Sequence, residues 1–229
     1  LDTQRSWIDA GRWLAYRTAF ELDRAKHAST PTERAAAQRW CALATPVLKS
    51  IFTQQAFEGA SACLQVLGGH GYVREWGIEQ YVRDARVTMI YEGTNEIQAI
   101  DLLLRKVIPD GGQALTEWMD FELNELPAPH PELQASAQTW LTLTGQIAGQ
   151  QTSATLAHEV ADDYLRGLGL WMMQLAWAHV AHATQSLSAA EQARWQVPQQ
   201  AFQRWVWPEW RLRCDIIESA LKATQGLAA

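Results

Sequence analysis

The chain has 229 residues, of which 48% are hydrophobic and 19% are charged. This balance allows a packed core and excludes wholesale disorder, and the length suits one large domain or two small ones. The net charge of −6 excludes a generally basic surface and so argues against a nucleic-acid partner, because phosphate backbones are bound by basic faces.

Cysteines and apolar runs restrict the class of protein further. Cys41, Cys63 and Cys214 are odd in number and far apart. This pattern indicates neither a zinc site nor a disulfide framework, and it favours a reducing, cytoplasmic location. No apolar run reaches the ~18 residues of a membrane span, so we expect no membrane partner. The chain begins on Leu1 inside a helical pattern, which we interpret as a piece of a longer protein.

The first half of the sequence has helical periodicity. Apolar residues at helical spacing predict a first helix over residues 2–28. Ser29 to Glu33 ends the first helix and offers a Ser or Thr N-cap, an early proline and an early glutamate for the next one. A second helix should therefore begin there. This helix runs toward Leu67, with a kink or short break expected at Pro46.

Two breaks and two shorter helices follow. Glycines at 68–71 end the second helix, and residues 78–87 are helical again. A tight turn occupies 92–94, and a helix over 95–107 begins with Thr94 or Asn95 as its N-cap.

The second half is also helical. Pro109 to Gly112 is the best boundary in the chain, and residues 126–131 form a loop. Helices are expected over 132–150, 152–186 and 189–225, with interruptions near Pro198 and Pro208. Most of the twelve tryptophans should fill a core. We therefore predict an all-α fold, with a four-helix-bundle-like unit over 1–108 and a second helical unit over 113–229.

Two segments suggest chemistry rather than packing. Gln65 to Tyr72 holds three glycines within four positions, which permits positive φ or the close approach of a phosphate, although a helix C-cap explains it equally well. Ile90 to Gln98 places Glu92 between an aromatic residue and a glycine. There it could lie in a partly dry pocket and act as a base, or it could be a solvated first-turn carboxylate.

Together these segments resemble the C-terminal signature of the acyl-CoA dehydrogenase family. That signature reads Gln-x-x-Gly-Gly-x-Gly-Tyr, then Arg-Asp-Ala-Arg, then Tyr-Glu-Gly-Thr-x-x-Ile-Gln, and here it stands in order at Gln65–Tyr72, Arg83–Arg86 and Tyr91–Gln98. Thr45-Pro46 and Arg74–Gly77 further resemble the long bacterial 3-methylmercaptopropionyl-CoA dehydrogenase-like members, whose extra C-terminal domain would account for residues 113–229.

The resemblance implies oxidoreductase chemistry on fatty acyl thioesters. Family members remove two hydrogens across the α,β-bond of an acyl-CoA, so Glu92 would take the α-proton while FAD accepts hydride. The Glu92 backbone N–H would bind the thioester carbonyl, and Tyr91 and Gly93 would line that end of the substrate pocket. Hydrogen-bond donors to the thioester carbonyl stabilise the developing enolate.

Cofactor and partner residues also follow from the resemblance. Gln65, Gly68 and Gly69 match the segment that contacts the FAD of a neighbouring subunit, and Thr94 and Glu96 match residues near the cofactor's pyrophosphate and adenosine. Position 96 is commonly Gln in the family, and a carboxylate there would repel phosphate. The whole protein would be a homo-oligomer that passes electrons to an acceptor such as electron-transfer flavoprotein. The preceding domains that complete the flavin pocket are missing, so we expect this piece alone to lack FAD and activity.

Alternative interpretations remain at this stage. A relative of the same fold could be an interaction protein of the DNA-associated branch, although its tail should then be basic, or an oxidase of non-CoA substrates. The tail could mediate oligomerisation or cover the acyl channel. Arg83, Asp84 and Arg86 should form an ion-pair network. His158 with Asp162 lacks a third metal ligand, so no metal site is expected, and His179 and His182 should be surface or core residues.

Overall fold

The computed structural model describes residues 1–150 and 153–227. Within these residues all regular structure is helical and no strand occurs, which confirms the predicted all-α class. None of these helices combines the length and apolar character needed to cross a membrane. In chain order the α-helices are α1 Asp2–His27, α2 Pro31–Val66, α3 Gly69–Tyr72, α4 Ile78–Thr88, α5 Asn95–Ile100, α6 Gln113–Asn124, α7 Pro131–Ala148, α8 Ser153–Ala183, α9 Ala189–Trp205 and α10 Pro208–Leu227.

Shorter helical segments join some of these helices. They are the 3₁₀ segments Arg74–Trp76, Ile108–Asp110 and Thr184–Ser186, and the π-helix Asp101–Val107. The expected helix over 95–107 is therefore α-helical only in its first half and π-helical in its second. Residue 152, where a helix was predicted to begin, lies outside the described residues.

Helix α2 begins as its sequence predicts. The Thr30 side chain accepts a hydrogen bond from the Glu33 N–H at 3.2 Å, and the Glu33 carboxylate accepts one from the Thr30 N–H at 3.0 Å. Pro31 occupies the first helical position, where its missing N–H costs nothing. This capping box gives α2 a defined start.

The expected break at Pro46 is absent, and α2 continues through it. Proline has no N–H to donate, so the carbonyl of Ala42 loses its helical partner. The Lys106 ammonium donates to that carbonyl at 2.9 Å from the π-helix. A tertiary contact therefore replaces the missing helical bond. Helix α9 likewise continues through Pro198, whereas Pro208 begins a new helix as expected.

Helix α8 is the central element of the molecule. Every residue from 164 to 177 is buried, as is typical of a helix that is apolar all round and surrounded by others. It packs against α10, α7, α1, α2, α5 and the π-helix. Gly169 allows the approach to α2, because a Cβ built on it would lie 1.6 Å from Ile51 Cδ1.

One hydrophobic core runs through both predicted units and holds most of the bulky tryptophans. Trp40 of α2 meets Trp118 of α6, whose ring in turn meets Trp171 of α8. Trp140 packs on Tyr164 in the same core. Core filling was the predicted role of these side chains. The division into units at 109–112 remains a prediction.

A buried ion pair also joins the two halves. Arg17 of α1 donates to Glu122 of α6 at 3.2 Å, and Glu122 is 1% exposed. Burial raises the pKa of Glu122 to about 7, with Arg17 acting in the opposite direction. Arg17 also pairs with the buried Glu21 on its own helix.

Candidate functional site

The second signature segment forms a tight turn between α4 and α5. Tyr91, Glu92 and Gly93 make up this turn, and Thr94 caps α5 by accepting a hydrogen bond from the Ile97 N–H at 3.3 Å. The Asn95 N–H closes the turn by donating to the Met89 carbonyl at 3.2 Å. The turn predicted around residues 92–94 is thus present, and Thr94 rather than Asn95 is the N-cap.

The backbone of Glu92 is strained. Its φ is +59°, and no other non-glycine residue in the described part of the chain has positive φ. A side-chain-bearing residue in this region is disfavoured by about 1–2 kcal/mol. Gly93 follows with φ +82°, a value that glycine adopts freely. Strain of this kind persists where the surroundings enforce it, and it often marks functional sites.

The Glu92 side chain is exposed, and Tyr91 is 52% exposed. The partly dry pocket considered from the sequence is therefore absent from the described residues, because the turn is held from α2 and α5 and its outer side faces solvent. The N–H of Glu92 donates to no acceptor within residues 1–150 and 153–227. A carboxylate and a backbone donor are both available on this surface.

Sequence reasoning missed the side chains that hold the turn. The Lys49 ammonium donates to the Gly93 carbonyl at 2.6 Å and to Asn95 Oδ1 at 2.9 Å. The Gln98 side-chain amide donates to the Glu92 carbonyl at 3.2 Å. The available signal was the polar pair Lys49 and Thr53, which are four residues apart and therefore lie on one face of α2.

The glycine segment lies elsewhere along α2. Gly68 has φ +57° and ends the helix, and Gln65, Gly68 and Gly69 are exposed. Lys49, which is bonded to the Glu92 turn, precedes Gln65 by 16 residues of continuous helix. At 1.5 Å per residue this places the two segments about 24 Å apart along α2. The structure does not bring Gln65, Gly68 and Gly69 next to Glu92.

Glu96 lies in the first turn of α5 and is exposed. Its own backbone N–H, followed by the Thr94 hydroxyl, holds the pKa of this carboxylate below its ordinary value. Glu96 is therefore a negative charge where the family pattern commonly has a neutral amide.

The prediction of an ion-pair network on α4 is wrong. Arg83, Asp84 and Arg86 form no ion pair within the described residues, because neighbours one or two positions apart on a helix point in different directions. Asp84 instead accepts a hydrogen bond from Gln80 at 2.6 Å, and Arg86 lies over the Phe57 ring.

The described residues contain no group of three or more His, Cys, Asp or Glu side chains arranged to bind a metal ion. His158 is exposed. His179 stacks on Trp13 at 4.8 Å between ring centroids, and burial lowers its pKa to about 4.

A mainly apolar groove of about 750 Å³ runs between α1, α2 and α4. Trp7, Phe52 and Tyr81 contribute to its walls. None of the predicted site residues lines it.

Comparison with known proteins finds similarity over the first half of the chain. The family model for "Acyl-CoA dehydrogenase, C-terminal domain" matches residues 5–107. The chain is 46% identical over 110 residues to 3-methylmercaptopropionyl-CoA dehydrogenase of Ruegeria pomeroyi, a match covering 48% of this chain and 18% of that protein. It is 45% identical over 73 residues to a broad-specificity linear acyl-CoA dehydrogenase of Mycobacterium tuberculosis, covering 32% and 12% respectively.

A solved structure shares the fold of nearly the whole chain. The acyl-CoA dehydrogenase of Bacillus anthracis, crystallised with FAD, superimposes with a TM-score of 0.66 at 18% identity, covering 97% of this chain and 44% of that one. The matched stretches thus span less than a fifth of the two curated relatives and under half of the structural neighbour. By sequence, residues 5–107 are similar to the C-terminal domain of acyl-CoA dehydrogenases.

Proposed function

We propose that the whole protein carrying this chain is an FAD-dependent acyl-CoA dehydrogenase that oxidises the α,β-bond of an acyl-CoA thioester. The observation that carries the proposal is the Glu92 turn. It lies inside the family match, it holds an exposed carboxylate on a strained backbone, and it presents a backbone N–H without an acceptor.

Glu92 acts as the base that takes the α-proton. Its own N–H donates to the thioester carbonyl, where negative charge develops as the proton leaves. A donor aimed at such a charge contributes roughly 3–4 kcal/mol to the transition state. The strained turn supports this dual role, because it leaves Glu92 exposed and its N–H without an acceptor among the described residues. Tyr91 and Gly93 border the thioester.

Of the residues that the resemblance assigns to the cofactor, the glycine segment is compatible with a bound dinucleotide and Glu96 is not. FAD, when bound by the whole protein, supplies the acceptor for the hydride that leaves the β-carbon. At Gly68 and Gly69 a built Cβ would meet no atom within 4 Å, so the backbone there is open to a large ligand beside the exposed Gln65. Thr94 is engaged as a helix cap, and the Glu96 carboxylate would repel a pyrophosphate. We therefore assign cofactor contacts to Gln65, Gly68 and Gly69 and leave Glu96 out.

The separation of these segments supports a homo-oligomer. Lys49, which holds the Glu92 turn, and Gln65, which begins the glycine segment, are about 24 Å apart along α2. The turn and the glycine segment therefore contact different copies of the cofactor. In this proposal Gln65, Gly68 and Gly69 of one subunit contact the FAD that lies in the active site of a neighbouring subunit.

The remaining expectations enter the proposal unchanged. Residues 1–108 form the dehydrogenase unit and 113–229 an added helical unit that mediates assembly or covers the acyl channel. Electrons pass to an acceptor such as electron-transfer flavoprotein in the cytoplasm. The isolated chain has no bound FAD and no turnover, because it supplies the base without the rest of the flavin pocket.

The test replaces Glu92 with Gln in the whole protein and assays a panel of acyl-CoA thioesters with an artificial electron acceptor. We expect kcat to fall by at least about 10²-fold, since general-base catalysis contributes roughly 10²–10⁴-fold. Gln keeps the backbone donor and the side-chain shape, so substrate binding should change little. Undiminished turnover would remove Glu92 from the mechanism.

The nearby Glu96→Gln variant is the matched control. It removes a carboxylate four residues away on the same exposed surface and should keep most of the activity. An equal loss in both variants would indicate a general effect of charge rather than proton abstraction by Glu92.

A further inference from the structure

Lys49 lies beneath the Glu92 turn and bonds it from α2. Its ammonium donates to the Gly93 carbonyl at 2.6 Å and to Asn95 Oδ1 at 2.9 Å. These are charge-assisted hydrogen bonds, which are stronger than neutral ones. The lysine is half-buried, so its geometry is set by packing rather than by solvent.

Asn95 extends this connection into a network. Its Oδ1 also accepts from the Thr53 hydroxyl at 3.0 Å, and its Nδ2 donates to the Ser50 carbonyl at 3.3 Å. The Asn95 side chain is buried. One turn of α2, residues 49–53, therefore fixes both the carbonyl that follows Glu92 and the residue that begins α5.

The turn requires such a support. Glu92 and Gly93 both have positive φ, and Glu92 holds that conformation against the preference of its side chain. On one side Gln98 fixes the Glu92 carbonyl, and on the other Lys49 fixes the Gly93 carbonyl. Removing Lys49 leaves the second peptide of the turn without its donor.

Lys49 also brings a positive charge to the site. Desolvation lowers the pKa of its ammonium, and the carboxylates of Glu96 and Glu92 act against that shift. Arg86 is a further positive group acting on Glu96 beside the turn.

We propose that Lys49 is a positioning residue for the reaction, which holds the Glu92 turn in its active conformation through Gly93 and Asn95. The inference rests on the proposed function. Lys49 acts through the turn and contacts no reacting atom.

The experiment compares Lys49→Met with Lys106→Met in the whole protein. Lys106 is the matched control, because it also donates to a backbone carbonyl across helices, to Ala42 at 2.9 Å, and also lies near a carboxylate, Asp101, at 3.1 Å. We expect Lys49→Met to lower kcat on the order of 10- to 100-fold, as misplacement of a catalytic group by about 1 Å does. KM should change less than kcat, and Lys106→Met should retain most of the wild-type kcat.

The split between kcat and KM, with Tm measured for each variant, separates positioning from a loss of stability. A Lys49→Met variant with unchanged Tm and KM but lowered kcat has lost only the placement of the turn. A second variant, Lys49→Arg, keeps the charge but replaces the compact ammonium with a planar guanidinium that cannot make the same two bonds. It should also lower kcat, and it replaces Lys49→Met in the comparison if that variant does not fold.

Each outcome decides the matter. Wild-type kcat in Lys49→Met, or full kcat in Lys49→Arg, would overturn the inference. The proposed function would still stand if the Glu92→Gln variant were inactive. Equal losses of kcat in the Lys49 and Lys106 variants would overturn it in favour of general stability. Turnover that survives Glu92→Gln, or wild-type protein inactive on every thioester, would defeat the proposed function itself.

Discussion

Replacing Gly169 with Ala should destabilise the chain, although alanine is the better helix former. Gly169 lies within α8, where this substitution would by itself gain about 1 kcal/mol. The new Cβ would lie 1.6 Å from Ile51 Cδ1, 2.9 Å from Ile51 Cγ1 and 3.0 Å from Val47 Cγ1. Ordinary carbon contacts are roughly 3.5–4.0 Å, so α2 and α8 must separate or Ile51 must leave its rotamer.

The magnitude follows from how little room the core offers. Ile51 is 2% exposed and belongs to the shared core, so it cannot swing into solvent. Overpacking typically costs about 1–3 kcal/mol, and an overlap of roughly 2 Å belongs at the upper end. After the propensity gain, we expect a net loss of about 2 kcal/mol in unfolding free energy. For a chain of this length that corresponds to a fall in Tm of roughly 4–8 °C.

A double-mutant cycle measured by urea unfolding tests the cause. Ile51→Val removes the overlapping Cδ1 and should cost about 0.5–1.5 kcal/mol alone, but the double variant should recover about 1 kcal/mol relative to the sum. Gly145→Ala is the matched control, because Gly145 lies in α7 with no atom within 4 Å of its built Cβ and should gain stability. Strict additivity in the cycle, or a stabilised Gly169→Ala, would refute the packing argument.

Two further predictions concern Glu122 and Thr30. The pKa of Glu122 is raised by burial from an ordinary value of 4.5 to about 7, so its favourable contribution is complete below about pH 4.5 and is lost as the pH rises through about 7. The unfolding free energy of wild type minus that of Glu122→Gln should therefore fall between pH 5 and pH 8 in urea titrations, and a constant difference would contradict the buried titration. Thr30→Ala removes the capping box of α2 and should cost roughly 0.5–2 kcal/mol by thermal unfolding; an unchanged Tm would show that the cap contributes nothing.

Most helix boundaries were predictable because local chemistry fixes them. Thr30 with Glu33 starts α2, and Gly68 at positive φ ends it. The effect of Pro46 was not predictable. The carbonyl of Ala42, which Pro46 leaves without a helical donor, accepts a hydrogen bond from Lys106, 64 residues later in the chain, and no local pattern reveals such a partner. The π-helical half of the 95–107 segment was also not predictable, since hydrophobic spacing does not distinguish a π-helix from an α-helix.

The parts of the candidate site that belong to a sequence motif were predictable, whereas the parts that depend on tertiary contacts were not. Gly93 and Thr94 are required by the turn itself, so the sequence around Glu92 reports its geometry. Lys49 reads as an ordinary helix lysine until tertiary structure brings the turn against it. The exposure of Glu92 was equally hidden, because it depends on what packs around the turn rather than on the turn's own residues.

The central place of α8 has a consequence for the order of events during synthesis. The ribosome completes Ala183 75 residues after Ile108, which at 5–20 residues per second is a delay of about 4–15 s. Throughout that interval Ile51, Leu102 and Leu103, which end up fully covered, lack the helix that packs beside them. The nascent first half is therefore a client for chaperones, and slower translation upstream of α8 should lower the yield of folded protein.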